Sequence, residues 1–466
     1  MDSEAKLDVS QSDTTDCSTL IEPISQTLLG PDLIRGKVVL NTGSEELVVH
    51  MLDRTKFNSV EISELKKTSD VKKLQVTPSI IDEKVPKFGS ADYCSENVNN
   101  RKQWLEKKTD TDLLHVGGVP VPTEVWKGNI ENLIGTIQIP LGICGPLLVK
   151  GEHADGTFYV PMATTEGAII TTYSTGMRLV TQSGGVNVSV QDNFSHVSPM
   201  FRVKNLAEAK EFQVWLNKQF SVIKEVAEST TSHGELRDIK SYYWDRRVVV
   251  QFNYYTADAQ GMNMVNVATE KACDYIFKET GKSFNVRSNF SAVKKMSIHN
   301  VFPTFGKSVR AEALVTKKEL SKLKVRAKDV ASTWHDGLSV TMKSGTIGIN
   351  CQAANCIASV FLACGQDIAD ISSSHVAYSN FLETEEDLYV EVYIPSLSIG
   401  TVGGGTGKGS QNECLRILDC YGNGKVLKFA EIIGAAVLAG ELATVCAITN
   451  GTFVQAHAAL GRNKPI

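Results

Sequence analysis

A lone carboxylate, Glu166, stands between two threonines and a glycine in PMATTEGAIITTYSTGMR, Pro161 to Arg178, directly before an apolar, helix-like run. Ser and Thr cap helix starts, and the positive end of a helix dipole favours an anion. The pattern fits a capping glutamate, or an acid held at the mouth of a helix. Lys294, in the pair Lys294-Lys295, is either exposed surface or a positive charge at the junction of two domains. Asp367 ends an apolar run, where an ionised carboxylate must be paired or useful. His457, in FVQAHAALGR, is one of nine histidines and stands on a small-residue background where a structural role is usual.

Two glycine-bearing stretches add binding chemistry. GTVGGGTGKG, Gly400 to Gly409, follows a strand-like run. Gly403, Gly404 and Gly405 let the backbone approach a phosphate closely and offer N–H groups to an anion. As a phosphate-binding P-loop it departs from the pattern twice: Val402 occupies the first glycine position, and Gly409 follows the lysine where a hydroxyl residue belongs. The GxGxxG dinucleotide fingerprint lacks a βαβ unit around it, and a flexible hairpin is the plain alternative. In ADAQGMNM, Ala257 to Met264, Asp258, Gly261, Met262 and Asn263 stand at a helix start. Such a place either reads a cofactor phosphate or amide, or is a cap and turn.

The elements that must position these residues follow from periodicity and punctuation. Residues 1–30, rich in Ser, Asp and Thr, read as a disordered tail. Residues 31–130 read as a small helical part, its charge runs SELKKTSDVKKL and NNRKQWLEKK suiting exposed helices. ENLIGTIQIPLGICGPLLVKG, from Glu131, alternates β-branched runs with Gly and Pro, as strands and tight turns do. FRVKN, LAEAKEFQVWLNKQF, RVVVQFNYYT with another strand before it, MNMVNVATEKACDYIFKETG and SFNVRSNF then read in the order βαββαβ, a ferredoxin-like signature. That unit looks inserted into a larger domain. Further on, Val309 to Leu314 reads as a strand, and KKELSKLKVRAKDVASTWHDGL as one helix. Val426 to Ile448 reads as a buried helix in which Glu441 needs a partner. The fold class is α+β.

A chain of 466 residues allows two or three domains and a sizeable core. The net charge of -4 and the lack of a long basic stripe exclude a dedicated nucleic-acid binder. Ten scattered cysteines without metal-ligand spacing point to a reduced, cytoplasmic setting. The apolar runs Ala353–Gly365 and Ile432–Gly440 are shorter than the ~20 residues of a membrane span.

Taken in order, PMATTEG, DAxGMNM, KSVxxEA, ACGQD, LYVEVYIPSLSIGTVGGGT and AGEL resemble the 3-hydroxy-3-methylglutaryl-coenzyme A (HMG-CoA) reductases, in their eukaryotic-type class, over about Asn99 to Lys464. The resemblance implies reduction of HMG-CoA to mevalonate and CoA with two NADPH. It implies Lys294 as the cation beside the oxyanion, His457 as proton donor to CoA thiolate, and Glu166 as the acid for the final reduction. Asp367 links lysine and glutamate. It further implies Thr172, Arg287, Lys295 and Asn355 at the substrate, and Thr231, Ser232, Asp258, Gly261, Met262, Asn263 and Gly403 to Gly405 at the cofactor. The implied architecture is a large substrate domain (131–198 and 286–466), an NADP(H)-binding insertion (199–285), and a homodimer or homotetramer with shared active sites.

Several positions depart from the family's pattern. Val197, in SHVSPM, replaces an arginine that grips the substrate carboxylate, and Arg287 with Lys295 is the expected replacement. Val293 replaces an acidic residue before Lys294, and Gln352 a histidine, while Asn355 is kept. Ser232 replaces the arginine for the 2′-phosphate of NADPH, so either Arg237 or Lys240 substitutes for it, or NADH also serves. GRNKPI lacks the serine that many members carry as a phosphorylation site, and the membrane-embedded sterol-sensing region of many eukaryotic members is missing, so the expectation is a protein soluble in the cytosol. A catalytically weakened scaffold is the alternative to an active reductase, and a nucleotide hydrolase using Gly403–Gly405 is a remote third.

Overall fold

The computed structural model describes residues 36–41, 46–51, 65–66, 76–78, 85–109, 112–114 and 122–460, in two contact units, Met1–Pro86 and Lys87–Ile466. In the first unit, β1 (Gly36–Asn41), β2 (Glu46–Met51), β3 (Leu65–Lys66) and β4 (Val76–Pro78) form an antiparallel sheet in the order β3-β2-β1-β4. This corrects the helical expectation where these strands lie, while a helix does form later in 31–130. KVVLN and ELVVHM pair Val38 with Val49 and Val39 with Val48, and β-branched runs favour the pleated strand over the helix. The tail 1–30 lies outside the described residues.

The second unit opens with α1 (Ser95–Thr109), the expected helix over NNRKQWLEKK. Its charge run is not all solvated. Arg101 is buried, donating to the Leu133 carbonyl at 2.5 Å and pairing with Asp92 at 2.9 Å, which ties the helix to the ENLIG segment. A hairpin of β5 (Leu141–Gly151) and β6 (Asp155–Ala163) is followed by α2 (Ile169–Gln182) and the long strand β7 (Val186–Val197).

Then come β8 (Met200–Arg202), α3 (Leu206–Lys218), α4 (Phe220–Glu228), β9 (Glu235–Trp244), β10 (Arg247–Tyr255), α5 (Met262–Thr280) and β11 (Phe284–Asn285). Apart from the additional α4, this is the expected element order. The strands lie antiparallel in the order β11-β8-β10-β9. They share an apolar core of their own, with Phe201, Phe212, Val250 and Ile276 in it. The separation is incomplete, because Phe252 of β10 pairs with Val197 of β7 and joins the two sheets.

The remainder comprises β12 (Gly306–Val315), α6 (Lys317–Lys322), α7 (Ala327–Ser344), α8 (Ala353–Ala363), α9 (Ile371–Ser374), β13 (Tyr378–Thr384), β14 (Asp387–Leu397), α10 (Gly409–Ile417), α11 (Val426–Thr449) and α12 (Phe453–Leu460). The one helix expected from Lys317 is two, since Lys324 takes a left-handed φ of 57° that no α-helix continues through. The larger sheet runs β10-β7-β12-β14-β13, with β5 parallel to β7.

The core of the larger body is α11, whose apolar stretch is long enough for a membrane span yet 83% buried inside the protein. It crosses α2 closely enough that a Cβ on Gly176 would meet the Ala439 carbonyl at 1.8 Å. Two carboxylates on α11 are fully buried, and each accepts from donors on neighbouring segments. Glu431 accepts from the amides of Glu152, His153 and Ala154 at 3.2, 2.9 and 2.6 Å. Glu441 finds the partners its burial demands, the amides of Cys351 and Gln352 and the Ser379 hydroxyl, at 2.8, 2.7 and 2.8 Å.

Candidate active site

Four loops converge where β10, β11, β14 and α8 end. The loop from β10 to α5 carries Asp258 to Asn263. It is stitched to the glycine loop by a parallel bridge between Ala259 and Val402, and by Thr401 N–H donating to the Asp258 carbonyl at 2.8 Å. The segment after α8, Cys364 to Asp370, presses on the other side of the same glycine loop. A Cβ on Gly365 would meet the Gly405 carbonyl at 2.5 Å, so only glycine permits that approach. Gln366 Oε1 accepts from Gly400 N–H at 2.8 Å. Asp370 Oδ2 accepts from Gln260 Nε2 at 2.6 Å and from Ser398 Oγ at 2.8 Å.

Beside this knot lies Lys294, in the loop after β11. Its Nζ is 2.7 Å from Asp367 Oδ2, with the lysine side chain 46% and the aspartate 41% exposed. The pair is held together yet open to a ligand. Lys294 has φ of 58° and Ala292 of 51°, a left-handed backbone that costs a non-glycine residue and that its surroundings must hold in place. Asp367 is fixed from behind, since its Oδ1 accepts from Ala369 N–H at 3.1 Å.

His196 of β7 supplies part of that hold. The buried ring lies between the two ends of the lysine loop, with Nδ1 2.6 Å from the Thr304 carbonyl and Nε2 3.2 Å from the Ser291 carbonyl. Burial pushes its pKa down to about 4 against those hydrogen bonds. The ring is therefore neutral at neutral pH, with one N–H to donate, and the shorter contact assigns it to Thr304. Lys307 on β12 is fully buried, donates to the Ile399 carbonyl at 2.9 Å and fixes the approach to Gly400. Burial lowers its pKa to about 8, with Asp258 opposing.

The other expected residues fall into three groups. Gly403 and Gly404 have left-handed φ and open space where a Cβ would be, a backbone form that can cradle an anion. Gly261 begins α5 without laying a side chain over its first turn, beside Met262 and Asn263. Thr231 joins them, its Oγ1 lying 2.9 Å from Met264 Sδ while accepting from the amides of His233 and Gly234. Ser232 is exposed, its Oγ 2.8 Å from Nδ1 of its neighbour His233. This donor set fits a dinucleotide.

Asp258 has a structural task. Its carboxylate accepts from the amides of Gly424, Lys425 and Val426 at 2.8, 2.9 and 3.0 Å, capping α11. Lys408, the lysine a P-loop would aim at phosphate, donates instead to the Val125 carbonyl. Arg237 lies over the Tyr255 ring, 4.6 Å from its centroid. Gln352 is bound to the Gly440 carbonyl at 2.6 Å, and Asn355 reaches back to Gln352 at 3.5 Å. Arg287 and Lys295 are exposed in the lysine loop, and Thr172 is half-buried on α2.

Glu166 and His457 are both exposed, and among the described residues neither makes a hydrogen bond or ion pair with Lys294 or Asp367. Glu166 is not the cap of α2, which begins at Ile169 with Ala168 at its N-cap, at φ of 72° and with no side-chain cap. His457 Nδ1 lies 2.8 Å from the Phe453 carbonyl, so it carries the hydrogen and leaves Nε2 free. The sequence reading missed Gln260, Gln366, Asp370, Ser398, His196 and Lys307. For Asp370 a signal was present in ACGQDIAD, two aspartates three apart after an apolar helix.

A groove on the sheet face, lined by Lys150, Asn187, Gln191, Arg310, Glu312 and Glu391, shares no residue with these loops. Its Arg310 is already paired with Glu391 at 2.6 Å.

The family model described as Hydroxymethylglutaryl-coenzyme A reductase matches residues 97–462. The chain belongs to the hydroxymethylglutaryl-coenzyme A reductase family. It is 42% identical to the 3-hydroxy-3-methylglutaryl-coenzyme A reductase of Methanocaldococcus jannaschii, over 78% of this chain and 92% of that one. With the reductase of Methanothermobacter thermautotrophicus it shares 39% identity, over 79% and 94%. With reductase 1 of Dictyostelium discoideum it shares 30%, over 80% and 69%. Identity is thus higher with these archaeal relatives than with the Dictyostelium one and does not single out the eukaryotic-type class. Among solved structures, the reductase of Streptococcus pneumoniae superposes with a TM-score of 0.56 at 18% identity, over 75% of this chain and 96% of that one. A second structure of that protein is described as class II, bound to NADPH in open conformations. At this identity the likeness speaks for the fold.

Proposed function

We propose that this protein reduces the thioester of HMG-CoA to mevalonate and CoA, with NADPH as the reductant. The single observation that carries the reading is the Lys294–Asp367 pair at 2.7 Å, exposed beside a glycine loop locked to the Asp258–Asn263 segment, in a chain of this family. The reduced nicotinamide, when bound, supplies the hydride for each of the two reductions. Gly403 to Gly405, the start of α5 and the Thr231–Ser232 turn are the residues that hold the dinucleotide.

Reduction of the thioester carbonyl builds negative charge on oxygen, and the Lys294 ammonium stabilises it. Asp367 keeps that ammonium oriented, so little reorganisation is needed as charge develops. Collapse of the hemithioacetal releases a thiolate, which requires a proton. With its Nδ1–H held by the Phe453 carbonyl, His457 takes up and delivers protons through Nε2. Glu166 gives the last proton, to the alkoxide of mevalonate. Arg287 and Lys295 hold the carboxylate of the substrate in place of the arginine absent at Val197.

The unit from Pro199 to Asn285 is read as an inserted ferredoxin-like cofactor domain, supported by its strand order and separate core. The exposure of Glu166 and His457, with no bond to the lysine pair, supports active sites completed between two subunits. Ser232 favours a cofactor preference relaxed toward NADH.

The test mixes purified protein with HMG-CoA and follows oxidation of NADPH or NADH, with Lys294→Ala as control. Wild-type turnover that Lys294→Ala abolishes supports the reading. Its absence at saturating substrate sinks it, and a strong bias to NADPH sinks the relaxed preference.

A further inference from the structure

Among the described residues the buried carboxylates are Glu319, Asp370, Glu431 and Glu441. Three of them satisfy both oxygens. Glu319 gives both to Lys322, at 2.7 and 2.6 Å, and Glu431 and Glu441 divide loop donors between theirs. Asp370 is the exception. It is 0% exposed, crowds two donors onto Oδ2, and leaves Oδ1 buried with no partner.

A buried ionised oxygen without a donor is costly, whereas a protonated carboxyl leaves only a neutral hydroxyl unsatisfied. The geometry therefore favours a carboxyl that retains its proton. Burial is the largest influence on Asp370 and pushes its pKa up. The bonds from Ser398 and Gln260 pull against the rise, Asp367 on the same turn adds to it, and Lys294 opposes it. The buried Lys307 is bonded to the carbonyl of Ile399, next to Ser398. A lone structural tether would need no such device, since Glu431 and Glu441 show how this chain builds one.

The two donors on Oδ2 come from different loops. Gln260 precedes Gly261 in the segment read as the cofactor loop. Ser398 stands two residues before Gly400, where the glycine loop begins. Asp370 itself lies on the turn that starts with Asp367, the partner of Lys294.

We propose that Asp370 is a positioning residue of the reductase site, a buried carboxyl that fastens both dinucleotide-holding loops to the turn bearing Asp367. Seating the cofactor and placing the Lys294–Asp367 pair are then one event. This rests on the reductase reading.

The experiment compares wild type with Asp370→Ala, Asp370→Asn and Ser398→Ala in the full chain. It measures the NADPH dissociation constant by fluorescence titration without substrate, kcat, both KM values and melting temperature. Asp370→Ala weakens NADPH binding and lowers kcat, each by about tenfold, the scale of one or two lost hydrogen bonds. The KM for HMG-CoA stays within about twofold of wild type. Asp370→Asn, an isostere of the neutral carboxyl, recovers most of both losses. Ser398→Ala, which keeps the carboxyl, shifts NADPH binding the same way by a smaller factor and serves if Asp370→Ala does not fold.

Unchanged NADPH binding in Asp370→Ala and Ser398→Ala overturns the proposal, as does a loss of melting temperature alone. An Asn variant as impaired in kcat as the Ala variant overturns it too, because an ionised carboxylate would then be required. A wild type that binds NADPH in an Asp370-dependent way but does not turn over HMG-CoA refutes the reductase reading and leaves the coupling of the loops standing.

Discussion

Replacing Asp258 by alanine removes the acceptor of three backbone N–H groups where the chain enters the central helix α11. Losing a single side-chain cap costs about 0.5–2 kcal/mol. Loss of a negative charge at the positive helix end adds about 0.3–1 kcal/mol. Asp258 is half-buried, so water replaces part of what is lost, and about 3 kcal/mol is expected in total for Asp258→Ala. Lys307 adds to the cost at neutral pH, because Asp258 favours its charged form.

At about 2.1 cal/mol/K per residue, a unit running from Lys87 to Ile466 unfolds with an entropy of about 0.8 kcal/mol/K, so Tm falls by about 4 °C. Asp258→Asn, which keeps one acceptor oxygen, loses about half as much. The assay is a thermal melt with a urea titration, alongside NADPH affinity. The capping argument predicts a lower Tm and urea midpoint at unchanged m. If Asp258→Ala melts within about 1 °C of wild type while NADPH binding weakens, the capping argument is refuted and direct cofactor contact takes its place.

Arg287→Ser raises the KM for HMG-CoA by about tenfold with kcat little changed, the pattern of lost uniform binding; an unchanged KM removes Arg287 from the substrate site. Glu441→Ala strands the amides of Cys351 and Gln352 and the Ser379 hydroxyl. Each stranded donor costs about 1–3 kcal/mol, so the variant is expressed unfolded or melts far below wild type, while Glu441→Gln is milder. Lys307 titrates near 8 when folded and near 10.5 when unfolded, so between those values the unfolded chain binds the extra proton. Burial of the charge costs the folded state below pH 8, and the cost fades as pH rises toward 10.5, so wild type gains stability relative to Lys307→Met over that window. Melts of both proteins at pH 7 and 9.5 test this. His196, depressed to about 4 from 6.5, works at the acid end. Wild type loses stability relative to His196→Asn as pH falls from 6.5 to 4, which acid titration of the two melts checks.

The features legible in the sequence are local and periodic. The order of strands and helices from Phe201 to Phe290, the strand at Val309 and the buried helix from Val426 with its needy Glu441 were legible because apolar spacing, β-branching and glycine act over a few residues. Short motifs in a fixed order were enough to point to the family. The same local reasoning misread Gly36 to Pro78, where charge was weighed above the valine pairs, and the helix from Lys317, where the left-handed turn at Lys324 has no composition signal.

Which side chain answers to which was decided only by the tertiary structure. Asp258 and Val426 are 168 residues apart, Gln260 and Asp370 are 110 apart, and Lys294 reaches Asp367 from another loop. A carboxylate's role depends on the donors that fold around it, and no pattern in the chain encodes those. Asp258 reads as a cofactor ligand in its motif and works as the cap of a distant helix. Asp370 is one of two aspartates in ACGQDIAD, and burial with one bare oxygen is what sets it apart.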